Sequence, residues 1–388
     1  MSTSRKINIF GLSLQGMEEL MARHGEKPYR GRQLFQWVYQ KEVGEFAQMS
    51  SFNRTLRDQL SDHYKIELPE IVREQQDPED GTRKFLVKLR DGAGVEMVLI
   101  PIRGRLTLCI SSQVGCTIGC KFCATGLLGF KRNLTPAEIV GQFVLAKRLT
   151  GDLELNNVVM MGMGEPLLNL DSVLESIEII SSELGLGFSA RRFTISTVGL
   201  IREIRQLTEY KLKAGLALSL HAPNQALRER LIPAANDNPL DELIEACRAY
   251  VLQAGDRVTL EYILIAGITD TMACAQQLAR IANRLPCKIN LIPYNPIIRP
   301  DGVPLAPIKE VKKGRVAAIR GTGARDPRRP APFSPYDFRT PTQDAIDRFR
   351  EYLYPRCPAV TLRTPKGRSI AAACGQLAGQ LQAEEMSL

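Results

Sequence analysis

Three cysteines, Cys116, Cys120 and Cys123, stand at C-x3-C-x2-C. A short loop with those steps folds three thiolates around one metal centre. Three thiolates leave one iron of a four-iron cluster without a protein ligand. An open coordination position is what a catalytic centre needs, as it is at catalytic zinc sites. The alternative is a structural zinc site with Cys109 as fourth ligand. Six residues between Cys109 and Cys116 make a poor zinc-knuckle spacing, and no second C-x2-C follows. The chain holds nine cysteines. An odd number with no export signal points to metal-binding or catalytic thiols rather than a disulfide framework.

The cysteine loop follows a strand candidate, LTLCISS (106–112). Further short apolar runs follow at 156–162, 192–197, 215–221, 258–265 and 288–294, with helix-like segments between them. This alternation predicts parallel strands with crossover helices, an α/β chain with a partial (βα)6-type barrel. In such a barrel the loop after a strand lies at the catalytic end. AVTLRT (359–364) reads as a last strand, and residues 1–80 read as mainly helical. KFLVKL, the turn-like DGAG and VEMVLIPI predict a β-hairpin. The expected division is a helical accessory unit plus hairpin over 1–101, a core over 102–369 and a C-terminal segment over 370–388. Trp37 is expected in the core of the accessory unit. Cys247, Cys274, Cys287 and Cys357 are expected to be packing residues.

The 388 residues are 44% hydrophobic and 24% charged, ordinary for a globular protein of two or three domains. No apolar run is long enough for a membrane helix. The start, MSTSRKINIFGLSLQGMEEL, shows no secretory leader, so the cytoplasm is the expected compartment. A net charge of +9 favours polyanionic partners, nucleic acid first. Between 299 and 329 nine basic residues face three acidic ones, and eight prolines fall between 299 and 341. That stretch reads as an irregular insertion, either a solvated loop or a contact to RNA phosphates.

Beyond the cysteine loop stand TLCISSQVGC, FCATG, GMGEPLLN (162–169), SLHAPN, LIPYNP and AACGQL (372–377). Together these resemble the RlmN family of radical S-adenosylmethionine (SAM) RNA adenine methyltransferases, with the Cfr proteins as near neighbours. The resemblance covers essentially the whole chain apart from the basic proline-rich stretch. It implies a radical SAM barrel, a [4Fe-4S] cluster on Cys116, Cys120 and Cys123, and two SAM molecules per turnover. The implied reaction is methylation of C2 of an adenine in 23S rRNA, and of an adenine beside the anticodon in tRNA.

In the family, one SAM methylates a cysteine by displacement. A second yields a 5′-deoxyadenosyl radical that takes hydrogen from that S-methyl group. The methylene radical adds to C2, and a second cysteine takes the C2 proton and resolves the thioether, leaving a disulfide. Carried onto this sequence, the resemblance makes Cys374 the methyl carrier, Cys109 the resolving cysteine and Glu96 a proton acceptor. A final disulfide needs the two Cα atoms within about 7 Å. SAM contacts implied in the same way are Gly164, Glu165, Ser196, Ser219, Leu220, His221 and Asn295. The small residues around Cys374 are expected to leave it mobile. The implied partners are RNA and an electron donor such as flavodoxin or ferredoxin. The helical unit resembles the family's accessory RNA-binding domain, and its Lys27, Arg30, Arg32, Arg54 and Arg57 read either as phosphate contacts or as a solvated charged face. A monomer with no membrane association is expected. The competing readings are a Cfr-like C8 methyltransferase and a non-catalytic RNA-binding protein with a structural metal cluster.

Overall fold

A computed structural model describes residues 6–151, 154–297, 333–334 and 338–378. Most of the basic proline-rich stretch, including Lys312, Lys313, Arg328 and Arg329, lies outside the described residues.

The chain opens with β1 (Ile7–Asn8), α1 (Leu14–Arg23), α2 (Pro28–Phe35), α3 (Arg54–His63) and β2 (Tyr64–Lys65). The helix starts follow the sequence. Ser13 caps α1, Pro28 opens α2, and Asn53 accepts from the Leu56 amide at 2.8 Å. Met17, Leu20, Leu34, Phe35 and Tyr39 fill the interior of this unit. Trp37 is only partly buried, contrary to expectation. A five-residue π-helical turn, Gln36–Gln40, carries it. Its indole N–H donates to Ser51 at 2.7 Å and Lys41 Nζ lies 3.6 Å from its ring centroid, so the polar edge and the π-face both find partners at the surface.

Four strands then run as an antiparallel meander: β3 (Glu70–Gln76), β4 (Arg83–Lys88), β5 (Gly94–Ile102) and β6 (Arg105–Cys109). A small antiparallel pair, β7 (Gln113–Gly115) and β8 (Phe130–Asn133), brackets α4 (Ala124–Leu128). After it come α5 (Pro136–Thr150), β9 (Leu155–Met160), α6 (Leu170–Ser181), β10 (Phe193–Thr197), α7 (Ile201–Glu209) and β11 (Gly215–Ser219). The remaining elements are α8 (Gln225–Leu231), α9 (Leu240–Ala254), β12 (Val258–Leu264), α10 (Met272–Ala282), β13 (Cys287–Pro293), α11 (Gln343–Leu353) and β14 (Val360–Leu362).

One ten-stranded sheet runs β14-β13-β12-β11-β10-β9-β6-β5-β4-β3. From β6 through β14 every neighbour is parallel and the strands follow chain order. That is the expected partial barrel. The hairpin β4–β5 is hydrogen-bonded to β6, so it extends the barrel sheet, and position 101 falls inside a continuous ladder. Strand β3 was not anticipated. It is an edge strand with no fully buried residue, so its sequence EIVREQQ carries no clear alternation.

Beyond β14 the chain crosses from one end of the sheet back to the other. The Gly367 amide donates to Asp80 Oδ2 at 2.9 Å and the Ser369 amide to Asp77 Oδ2 at 3.2 Å. The Thr125 hydroxyl donates to the Leu377 carbonyl at 2.7 Å, and the Ala124 amide to the Gly375 carbonyl at 2.7 Å. Residues 367–378 therefore form a strap over the gap between the sheet edges. The residues on both sides of Cys374, expected to leave it mobile, are held by hydrogen bonds.

Candidate active site

A cavity opens at the carboxyl ends of the parallel strands. Its wall includes Cys116, Cys120 and Cys123, the strand-end residues Gly164, Glu165, Ser196, Ser219 and His221, and Cys374 from the strap. Nine of the thirteen residues named from the sequence thus share one space. Asn295 lies beside it. Its Nδ2 faces the Cys374 carbonyl at 3.5 Å, and its Oδ1 accepts from Arg368 Nε at 3.3 Å. Leu220 is buried behind the wall, its amide donating to the Glu261 carbonyl at 3.0 Å. Cys109, at the end of β6, is buried and close enough to feel the charge of Cys374. Glu96, implied as a proton acceptor, does not line the cavity, and its carboxylate instead meets Lys84 and the Ala378 amide.

Burial pushes the Cys116 thiol up to about 12 and raises Cys120 and Cys123 as well. The three sulfurs also repel one another as thiolates, so they need cationic iron to take the place of their protons. One observation that fits a cluster is Arg228 of α8. It is fully buried, donates to the Val198 and Leu220 carbonyls, and leaves Nη1 without a partner among the described residues. Its charge acts on Cys120. An orphaned guanidinium N–H beside a cluster thiol suits an anionic iron–sulfur centre.

The strand-end loops are built by side-chain links. The Glu165 amide donates to Gln113 Oε1 at 2.9 Å. Its carboxylate accepts from the Leu167 and Val198 amides at 3.2 and 2.9 Å. Both oxygens are therefore already engaged, tying the loop after β9 to the loop after β10. Burial raises this carboxyl to about 7 against the pull of those donors. Ser196 and Ser219 Oγ lie 3.4 Å apart. His221 adopts φ +55°, and its Nδ1 accepts from the Ile263 amide at 3.2 Å. Its ring packs edge-on to Phe122 at 4.7 Å. Burial lowers its pKa to about 3, so the imidazole is neutral with the proton on Nε2.

Gly164 has φ +106°, and a Cβ there would lie 2.7 Å from the Gln113 amide nitrogen. Gly129 also has positive φ, +78°, but open space around it. Gly164→Ala is therefore expected to weaken SAM binding at least about tenfold through displacement of the loop, while Gly129→Ala carries backbone strain alone, about 1 kcal/mol. Equilibrium binding of SAM to the two variants checks this. Equal affinities would contradict it.

Sequence motifs missed Glu261 and Arg363, which also line the cavity. Arg363, partly buried just past β14, interacts first with Cys374, then with Glu261 and Cys109, and their negative charge raises its pKa. Glu261 accepts from Asn290 Nδ2 at 2.9 Å. The available signal was a charged residue inside each of two apolar strands, VTLEYILI and AVTLRT. Burial pushes the Cys109 thiol up to about 12, with the Arg363 charge opposing it. The arrangement can bind a cluster at the loop, hold a ligand against the strand ends, and present one thiol over it with a second thiol behind.

Of the five basic side chains singled out in the helical unit, four are engaged. Arg30 and Arg57 donate to the Ser51 and Ala47 carbonyls at 2.7 Å each. Arg32 pairs with Glu18 and Arg54 with Asp58. Cys247, Cys274 and Cys287 are buried, while Cys357 is partly buried in a turn. No helix among the described residues is long and apolar enough to cross a membrane.

Two family models match this chain. Residues 7–66 match the ribosomal RNA large subunit methyltransferase N-terminal domain, and residues 110–274 match the radical SAM superfamily. The chain is 42% identical over 378 residues to the dual-specificity RNA methyltransferase RlmN of Oleidesulfovibrio alaskensis, covering 96% of each. It is 40% identical to the protein of that name from Geobacter sulfurreducens, covering 97% of this chain and 93% of the relative. The crystal structure of a radical SAM methyltransferase from Sphaerobacter thermophilus superposes with a TM-score of 0.81 at 39% identity. The match covers 96% of this chain and all of that one.

Proposed function

The chain belongs to the RlmN family of radical SAM RNA methyltransferases, and on that premise we propose that it methylates C2 of an adenine in 23S rRNA and of the adenine beside the anticodon in tRNA. The observation that carries this reading is the cavity, where the three cluster cysteines, the strand-end contacts and Cys374 meet. When bound, the [4Fe-4S] cluster and SAM supply a methyl group, one electron and a hydrogen-abstracting radical. C2 of adenine is electron-poor, so it offers no nucleophile for simple methyl transfer.

In this reading Cys116, Cys120 and Cys123 hold the cluster, and Arg228 supplies a buried donor beside it. Gly164, Glu165, Ser196, Ser219, His221 and Asn295 border the SAM pocket. With Glu165 engaged by backbone amides, its main part is to shape the loop that offers backbone groups to SAM. The Nε2–H of His221 gives a fixed donor. Cys374 gives up its thiol proton and carries the methyl carbon. Once the adduct has returned its unpaired electron to the cluster that supplied one, Cys109 would take the C2 proton, and its sulfur would then bond to the Cys374 sulfur as the Cys374 sulfur–carbon bond breaks, the freed carbon taking up a proton to become the methyl group of the released RNA. Arg363 stabilises whichever of the two sulfurs is anionic. The resulting disulfide is reduced before the next turnover.

The substrate is RNA with the target base unstacked or in an open loop, because a base edge inside a stacked helix is out of reach. The enzyme works in the cytoplasm as a monomer, with flavodoxin or ferredoxin as reductant. The test is mass spectrometry of 23S rRNA and tRNA from cells with and without this gene, with positional assignment of the methyl group. A gene-dependent 2-methyladenine is expected in both RNAs. A methyl group at C8, or no gene-dependent change, contradicts the proposal.

A further inference from the structure

The strap meets the hairpin extension at a buried ion pair. Lys84 Nζ on β4 lies 3.2 Å from Glu96 Oε1 on β5, with the two side chains only 4% and 2% exposed. Each partner also holds the strap. Lys84 Nζ donates to the Ala371 carbonyl at 3.4 Å, and Glu96 Oε2 accepts from the Ala378 amide at 2.8 Å. The two grips fall three residues before and four residues after Cys374. Ala371 has φ +49°, in the left-handed region. A non-glycine residue stays there only where its surroundings hold it, and the Lys84 contact is one of those holds.

A buried ion pair is a poor source of net stability, since desolvation offsets most of its attraction, yet removing one partner is strongly destabilising. It suits a device that selects one arrangement of a segment. Neither residue borders the cavity, so both act through the strap.

We propose that Lys84 and Glu96 form one clamp that positions the Cys374 thiol at the cavity, with Lys84 a positioning residue for the reaction. The clamp follows from the contacts alone, and its meaning for catalysis rests on the reading of Cys374 as methyl carrier. With the clamp closed, the thiol has one fixed approach to the methyl donor. With either partner removed, the strap loses a grip on one side of Cys374 and the thiol samples unproductive positions.

The test uses the full-length, cluster-loaded chain. Lys84→Met and Glu96→Gln are each expected to speed amide hydrogen exchange over residues 371–378 at least about tenfold, the weight of one lost charged hydrogen bond. Lys84→Arg, which keeps the charge, is expected to retain most of the protection. Exchange in β11 to β13 stays unchanged in all three, which separates the clamp from general destabilisation. Methyl transfer to Cys374, read as the mass gain of the protein, is expected to fall by a similar factor in the Met and Gln variants and to recover in the Arg variant. Should Lys84→Met not fold, Glu96→Gln, which keeps size and shape, carries the test. Unchanged exchange over 371–378 in both the Met and Gln variants overturns the clamp. Faster exchange in a protein whose unmutated form acquires no methyl group on Cys374 upholds the clamp and overturns the reading of that cysteine.

Discussion

Cys109→Ala is expected to stop the reaction with RNA covalently attached to the protein through Cys374. Cys109 ends the first parallel strand and is buried next to the strap. Burial holds its thiol high and the Arg363 charge pulls the other way, toward the thiolate that the proton transfer requires. Once the methylene carbon has joined C2, release requires both removal of the C2 proton and attack on the Cys374 sulfur. Alanine does neither. The rate of methylated RNA release should fall on the order of 10²–10⁴-fold, the range for a lost general base. A denaturing gel should show an RNA–protein band that mass spectrometry maps to Cys374. Cys374→Ala should give no methylated protein and no adduct, yet keep its cluster, because Cys374 is not one of the three loop thiols. Normal yields of methylated RNA from either variant would contradict the roles assigned to the pair.

Replacing Cys116, Cys120 or Cys123 with alanine should abolish the brown iron–sulfur absorbance and with it all SAM cleavage. Each thiolate is proposed to bind its own iron, so two remaining ligands cannot retain a site-differentiated four-iron cluster. The apo-protein is not expected to unfold, since the loop is also held from outside. The Cys116 amide donates to the Gly129 carbonyl at 2.9 Å, and the Lys121 amide to the Leu231 carbonyl at 3.0 Å. A matched comparison is Cys274→Ala in α10. This thiol is buried and donates to the Ile268 carbonyl at 3.6 Å, and its loss should cost about 1 kcal/mol of stability while leaving iron content untouched. Full iron and sulfide content in all three loop variants would sink the cluster assignment.

What was legible in the sequence were the elements whose local pattern and tertiary setting agree. The strands around Leu108, Val158, Ile195, Leu218, Leu260 and Ile289 are buried apolar runs, and the motif residues at their ends fall around one cavity. Strand β3 was not legible because an exposed edge has no burial to impose alternation. Trp37 reads as core in an apolar stripe, yet its polar edge reaches Ser51 at the surface. The grip of Glu96 on the strap was beyond reach for another reason. The Glu96 to Ala378 bond joins residues 282 positions apart, and no local pattern encodes such a pairing. The same holds for Arg228, whose Nη1, unpartnered among the described residues, is defined only once α8 is packed behind the cysteine loop.

The strap also sets an order of events during the protein's assembly. Its bonds to Asp77, Asp80, Lys84 and Glu96 span 292, 287, 287 and 282 positions. These are among the widest loops the chain closes, and contacts of high sequence separation form late because the entropy of closure precedes any reward. The strap is also the last described part of the chain to leave the ribosome. The strand ends and the cysteine loop therefore exist for a time with their mouth uncovered. The residues that carry the Cys374 thiol are thus the last described part of the site to take their place.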